Sequence, residues 1–587
     1  ISSVRLRGPG GVRAVACDAL LMSGGWTPSV HLFSQSRGRL RFDDDLQAFV
    51  PGETGARARS AGGCRGTYDI AACLAEGHAA GEQAARGVRD SSQPTQHARC
   101  SAPRAVAGRK AFVDFQNDVT VKDLMVAVQE GFRSIEHIKR YTTTGMATDQ
   151  GKTSNLNALS LVADVLKRPV PTVGHTTFRM PYTPVTFGAF AGPARGALFE
   201  PVRHTPTHDR AVAAGAVFED VGTWKRARFF SGAGEDMHAA VARECRAVRT
   251  AAGLFDGSTL GKIEVTGPDA GAFLDRIYTG SMSRLGVGRC RYGLMLSEAG
   301  FVMDDGVVAR LAPDRFHLTT TTGGAAAVLQ HMEDYAQTEF PELCVWLTSI
   351  TEQWAVIAVQ GPHARDVIAP VVGGVDISPD AMPHMSVREC RVAGIPARLF
   401  RVSFTGERGF EINVPAGHGP AVWDAVWQAG APFGIVPYGT EAMHVLRAEK
   451  GYIVVGQETD GTVTPGDLDL GWTIGRGKDD FVGKRSLARR DMARDDRRQL
   501  VGLLTADPGE VLEEGSQITE FHGTVSLGHV TSAYFSATLG RSMALALVSG
   551  GRARRNTTLY LPTPDQTISV RVTDPVFYDR KGARLHG

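Results

Sequence analysis

No two of the eight cysteines, at positions 17, 64, 73, 100, 245, 290, 344 and 390, form a CxxC pair, and their spacing is irregular. That argues against a disulfide framework or a thiolate zinc site and favours free thiols in a reducing compartment, so a cytoplasmic protein is expected. Apolar runs fall far short of the roughly 18 residues that a membrane-spanning helix needs. Net charge is also nearly missing: 64 lysines and arginines face 62 acids, which gives no electrostatic reason to expect nucleic acid or a membrane surface as partner. His317, His363, His384 and His444 show no ligand-like spacing, and none is assigned to a metal or to acid–base work. The chain begins at Ile1 with a strand-like ISSVRLRG and no basic, apolar leader, and is expected to be a piece lacking an upstream part.

What is present is length. A chain of 587 residues suggests several domains at roughly 100–200 residues each. Residues 12–25, VRAVACDALLMSGG, read as an alternating strand, an apolar strand over 19–22 and a turn at Gly24 and Gly25. Small residues after a buried strand let backbone approach a ligand closely. Gly62-Gly63-Cys64-Arg65-Gly66 leads into an alanine-rich helix, a pattern that suits a phosphate at a helix N-terminus but is more often simple close packing. Together SGGWTP and AGGCRGTYDIAACLAEGHAAG resemble the closing half of the two-dinucleotide-binding-domain flavoprotein fold, without that family's usual second-motif Gly-Asp. This implies a partial NAD site. Residues 1–90 are taken as that domain and the polar, proline-marked 91–105 as a linker.

Thr120 and Asp123 form a helix-capping pattern ahead of Val121, Leu124, Met125, Val128, Phe132, Ile135 and Ile138, with Gly131 splitting the helix in two. The stretch from Val113 to Ser154 is similar to the small helical module that holds a two-iron cluster in bacterioferritin-associated-ferredoxin-type proteins. Its four ligand positions hold Asp114, Gln116, Asp149 and Ser154 in place of cysteines. Thiolates are what bind such a cluster, so none is expected over 106–170. Lys152 and Thr153 are candidates for a flavin phosphate contact, against a solvated loop. A connector is expected over 171–203.

The run SEAGFVMDDGVVARL places Asp304 and Asp305 inside an apolar stretch. In a strand, one of two neighbouring carboxylates must face the packed side, whereas a Glu298-Ala299-Gly300 hairpin with a bulge at Asp-Asp-Gly would leave both in water. The motifs GLFDGSTLGKIEVTGPDA, SEAGFVMDDGVV, AVQGP, FTGERGFEINVP, LRAEKG and TPGDLDLGWTIGRGKDDFVGKRSL resemble, in order, the aminomethyltransferase family that includes the glycine cleavage T proteins. That resemblance implies a folate-binding domain over 204–490 and a C-terminal β-barrel over 491–587. It also implies that Asp305 faces tetrahydrofolate as the catalytic carboxylate, with Tyr292 lining the pocket, Glu411 hydrogen-bonding the pterin and Asp304 shaping the turn. A turn role is expected for Glu407. Where glycine cleavage members carry a folate-contacting arginine, this chain has Met443. Arg447 is expected to pair with Glu449 or another local acid, Trp423 and Trp427 to be core, Ala272, Phe273 and Ile277 to form the inner face of one helix, and LARRDMARDDRRQL to be a solvated connector.

The expected fold class is therefore α+β multidomain: a partial dinucleotide-binding α/β domain, a cluster-free ferredoxin-like helical module, an aminomethyltransferase-type α+β domain and a β-barrel. This order resembles the alpha subunits of the heterotetrameric sarcosine oxidase family. The resemblance implies a beta subunit carrying FAD and the sarcosine site, FMN near the interface, NAD in alpha, small gamma and delta subunits, and transfer of the one-carbon unit to tetrahydrofolate with release of hydrogen peroxide. A stand-alone folate aminomethyltransferase, a dimethylglycine-dehydrogenase-type subunit and a non-catalytic assembly subunit remain as alternatives.

Overall fold

The computed structural model describes residues 2–20, 25–87, 110–181, 183–521 and 523–586. The chain divides into two compact units, Ile1–Arg195 and Gly196–Gly587.

In the first unit, residues 3–51 form two antiparallel hairpins, Ser3–Gly8 with Gly11–Ala16 and Leu40–Asp43 with Ala48–Pro51. The described part of residues 1–90 contains no parallel strand pair. Ala19 and Leu20 lie outside any strand, and the rest of the expected apolar strand, with Gly24, falls outside the described residues, as does the expected linker. Gly25 adopts φ 96°, a conformation that favours glycine. The helix Ile70–Arg86 begins at Asp69, whose carboxylate accepts from Ala72 N. Gly62 N donates to Glu76 Oε2 at 2.8 Å and Thr67 Oγ1 to Glu76 Oε1 at 2.7 Å. Carboxylates of the chain itself thus occupy donors that the sequence offered to a phosphate.

The helical module forms as its pattern requires. Thr120 and Asp123 make a reciprocal capping box ahead of the helix Val121–Gln129, and Gly131, at φ 102°, separates it from Ile135–Thr142. Leu124, Val128, Ile135 and Ile138 close on Leu159 and Val162 of the Asn155–Leu166 helix. Two of the four residues at the iron-ligand positions hold backbone donors instead. Buried Asp114 accepts from Gln116 N, Asn117 N and Gly145 N at 2.9, 3.2 and 2.7 Å, and Asp149 accepts from Gly151 N. Thr153 Oγ1 reaches Asp149 Oδ2 at 3.4 Å, and Lys152 occupies the same turn. Asp114→Ala should leave three backbone donors without their acceptor and destabilise this unit by about 2 kcal/mol, read as a lower urea midpoint.

The second unit contains two sheets that carry the site. The five-stranded sheet runs in the order Cys290–Leu296, Val302–Ala312, Arg315–Thr320, Gly261–Thr266, Trp346–Ser349. The seven-stranded sheet runs Val372–Gly373, Ser386–Val392, Ile395–Arg401, Gly409–Pro415, Trp354–Gln360, Ala252–Asp256, Ile435–Pro437. Helices cover their outer faces: Phe273, Leu274 and Ile277 of Ala270–Ile277 pack on one and Val422, Trp423 and Val426 of Gly419–Gly430 on the other. Two expectations fail here. Ala272 points to solvent, because the buried stripe runs through Ala270, Phe273, Leu274 and Ile277, and Trp427 is exposed while Trp423 alone is core.

The C-terminal six-stranded sheet, from Gln517–Ile518 at one edge to Thr558–Pro562 at the other, closes through a bridge between Thr519 and Tyr560 into the expected barrel. Arg447 and Glu449 fasten it to the two-sheet body. Arg447 pairs with Glu458 at 2.8 Å and also donates to Ser532. Glu449 accepts from Arg249 at 2.6 Å and from Ser536. The expected pairing of Arg447 with an acid is thus met by Glu458, because Glu449 is held by Arg249. Glu407, expected to serve a turn, is buried against Arg249 at 3.0 Å.

Candidate functional site

Asp304 and Asp305 lie inside the strand Val302–Ala312, and the hairpin turn is over before them. The solvated-bulge reading therefore fails for both, although the strand does skip Met303 in its pairing: Leu296 faces Val302 and Met295 faces Asp304. Gly306 serves no turn. A Cβ there would meet the Thr319 carbonyl oxygen at 1.9 Å, so the close approach of the neighbouring strand requires glycine.

Strand alternation sends the two acids to opposite faces. Asp304 is buried, and its carboxylate accepts from Asp305 N at 2.7 Å, Thr321 N at 3.2 Å and Thr321 Oγ1 at 3.1 Å. It fixes the strand and the Thr321 turn, the turn-shaping role the resemblance implied, and does not share the face of Asp305. Asp305 lies on the inner face with Tyr292, whose hydroxyl donates to its Oδ2 at 2.6 Å. The register explains the contact: Tyr292 is opposite Val307 and Leu294 opposite Asp305, so tyrosine and acid are diagonal neighbours on one face. Asp305 keeps some solvent contact, but enclosure by protein and the neighbouring Asp304 charge push its carboxyl up to about 7 against the pull of the tyrosine hydrogen bond.

Glu411 arrives from the other sheet. It stands opposite Phe400 and Ala358 on its neighbouring strands. Phe400 packs with Cys290, Ala309 and Val307 of the five-stranded sheet, so the Glu411 face and the Asp305 face are turned to one another. Glu411 makes no hydrogen bond to any described residue. Burial pushes its carboxyl up to about 7, held back only by Lys262. Sequence reasoning missed Lys262. Fully buried on the inner face, it donates from Nζ to Ser258 O at 2.8 Å and Leu260 O at 2.7 Å, and burial lowers it to about 8 despite Asp256 and Glu411. A lysine in the alternating run TLGKIEV is legible only as a strand residue until the facing sheet supplies Glu411. Two aromatic groups were also missed: Trp472, largely exposed with its ring 6.2 Å from that of Tyr292, and Tyr438, stacked on Phe255 at 5.2 Å.

The structure thus brings Asp305 and Tyr292 into contact and puts Glu411 on the facing sheet. Lys152, Thr153 and Gly25 belong to the other compact unit. Among the described residues no group of three or more His, Cys, Asp or Glu side chains is arranged to hold a metal ion, and no helix is long and apolar enough to cross a membrane. Chemically, the site offers one carboxyl that changes charge near neutrality, a phenol aligned on it, and a second carboxyl with free acceptor oxygens. That set suits a flat, multi-donor heterocycle with an amine to be deprotonated.

These two sheets and the barrel define an aminomethyltransferase-type protein. Residues 207–478 match the GCVT N-terminal domain, 498–579 the glycine cleavage T-protein C-terminal barrel domain and 108–193 the sarcosine oxidase A3 domain. The chain is 34% identical to the aminomethyltransferase of Saccharopolyspora erythraea, covering 98% of that protein and using 64% of its own length. A solved glycine cleavage aminomethyltransferase T from Bartonella henselae shares the fold, with a TM-score of 0.58 at 24% identity over 65% of this chain and 99% of that one. The chain belongs to the aminomethyltransferase family, and it is also similar to sarcosine oxidase alpha subunits. It is 48% identical over 97% of its length to sarcosine oxidase subunit alpha of Corynebacterium sp. (strain P-1), and 42% identical over its whole length to that of Rhizobium meliloti (strain 1021). It spans 61% of each of these relatives.

Proposed function

We propose that this chain is the folate-binding part of the alpha subunit of a sarcosine-oxidising complex, loading the one-carbon unit of the oxidised amine onto tetrahydrofolate. The observation that carries the reading is the pair of carboxyls on facing sheets: Asp305 poised near neutrality on Tyr292, and Glu411 with no protein partner. A partner subunit carrying FAD oxidises sarcosine to its iminium, and the electrons pass to oxygen as hydrogen peroxide. A tetrahydrofolate nitrogen attacks the iminium carbon, and Asp305 accepts the proton that this nitrogen loses. The second folate nitrogen closes the methylene bridge as the carbon–nitrogen bond to glycine breaks, and the leaving amine takes up a proton that Asp305 can return. A carboxyl near 7 serves both directions of transfer. Glu411 accepts from the adjacent N–H donors of the pterin, and Lys262 favours its charged form. Excluding water from this interior keeps the imine from hydrolysing to formaldehyde.

FMN near the interface and small gamma and delta subunits are part of the same proposal. NAD fits the described residues poorly: residues 2–20 and 25–87 provide hairpins and one long helix, with no parallel strands to cradle a dinucleotide.

Calorimetric titration of the chain with tetrahydrofolate tests the reading. Glu411→Gln should weaken binding about 10- to 100-fold, as expected for loss of charged hydrogen bonds. Equal affinity in wild type and Glu411→Gln would remove the pterin role, and absence of binding in every version would favour the assembly-subunit alternative.

A further inference from the structure

Four arginines of the second unit are nearly or fully buried, and three have carboxylate partners: Arg249 with Glu407 and Glu449, Arg447 with Glu458, and Arg398 with Glu264. Arg401 is the exception. Fully buried at the end of its strand, it donates, among the described residues, only to carbonyl oxygens, to Gly409 at 3.2 Å and Leu585 at 2.7 Å, and its Nε has no partner among them. A buried charge without a counter-charge is strongly disfavoured.

Two further guanidiniums stand beside it. Arg365 and Arg401 both lie over the Phe410 ring, at 5.7 and 5.2 Å from its centroid. Arg408 precedes Gly409, to whose carbonyl Arg401 donates, and itself donates to Pro362 O at 2.9 Å. Nε of both is buried and unbonded among the described residues, and the Arg365 guanidinium makes no hydrogen bond to any of them. The acids next to them in sequence face elsewhere: Asp366 is 3.1 Å from His363 Nδ1, and Glu407 is held by Arg249. His384, also near Arg401, adds no negative charge. Arg401 follows Phe400, so alternation puts this cluster on the sheet face opposite Glu411, away from the folate-type site.

We infer that Arg365, Arg401 and Arg408 form a second binding site, for an oxyanion of the phosphate or carboxylate type. Forked N–H donors match such oxygens in geometry, and a ligand would supply the counter-charge the fold omits. Arg365 and Arg408 are partly exposed, so an anion can enter from solvent past them while Arg401 forms the floor.

The test is calorimetric titration of the whole chain with inorganic phosphate and, separately, citrate, at fixed ionic strength and pH, beside Arg365→Gln and Arg408→Gln. Both positions are partly exposed, and circular dichroism checks that the variants fold. Saturable binding of either anion that weakens at least 10-fold in both variants is the expected result. Preference for phosphate or for citrate identifies the source chemistry. No saturable binding of either anion, or equal binding in all three proteins, meaning an adventitious ion only, would overturn the site.

Discussion

Asp305→Asn should lower one-carbon transfer to tetrahydrofolate by about 10²- to 10⁴-fold, the usual contribution of a positioned general base, while amine oxidation by the complex continues and formaldehyde is released instead. The variant keeps the side-chain shape and a hydrogen-bond acceptor for the Tyr292 hydroxyl, so tetrahydrofolate affinity should change much less than the rate. Single-turnover transfer and formaldehyde release, measured together, separate the outcomes, and an equal loss of oxidation and transfer would refute the division of labour. The pH dependence follows from the charge. Asp305 must be ionised to accept a proton, so transfer should fall as pH drops through about 7, and this limb should vanish in Asp305→Asn.

The same raised value sets a stability trade-off. An aspartate titrates near 3.9 in an unfolded chain, and Asp305 near 7 in the fold. Between those values the native state holds the extra proton, so its contribution favours folding at low pH and turns against it as pH rises through 7. Asp305→Asn should therefore be more stable than wild type at pH 8, by about 1–2 kcal/mol once residual solvation is allowed for, and no more stable at pH 4.

Arg447→Met should destabilise the second unit by about 3–5 kcal/mol, because it leaves Glu458 buried without its cation. Arg447 and Glu458 are both fully buried at 2.8 Å, with Gln457, Ser532 and the Tyr452 carbonyl completing the guanidinium's bonds. Glu458 also accepts from Thr531 and Ser532, so the loss falls on the seam with the barrel. Arg447→Met with Glu458→Gln together should recover much of it, since the uncompensated charge then disappears. Urea unfolding of the two variants decides the matter; a double variant as unstable as the single would mean that packing, not charge, is what Arg447 supplies.

Local pattern carried several features directly. The Thr120 and Asp123 capping box, the break at Gly131 and the strands of the barrel follow from residues close in sequence, where periodicity and backbone preference act alone. Asp305 and Tyr292 came from the family resemblance alone, and the structure adds that they touch across a single hairpin. Features that depend on which distant segment comes alongside were not. Whether Arg447 meets Glu449 or Glu458 is decided by Arg249, some 200 residues earlier, having already engaged Glu449. Trp423 and Trp427 share a helix and a residue type, yet only the first meets the sheet.

By itself, then, the sequence determined the capping box at Thr120 and Asp123 and the helix break at Gly131, since each rests on interactions between neighbours. The tertiary structure alone decided that Asp304 would be consumed by Thr321 while Asp305 stayed available, that Glu411 and Lys262 would meet across two sheets, and that Arg401 would be buried with no acid beside it among the described residues. Those outcomes depend on burial and on charges brought together from far apart in the chain, and burial is a property of the packed molecule.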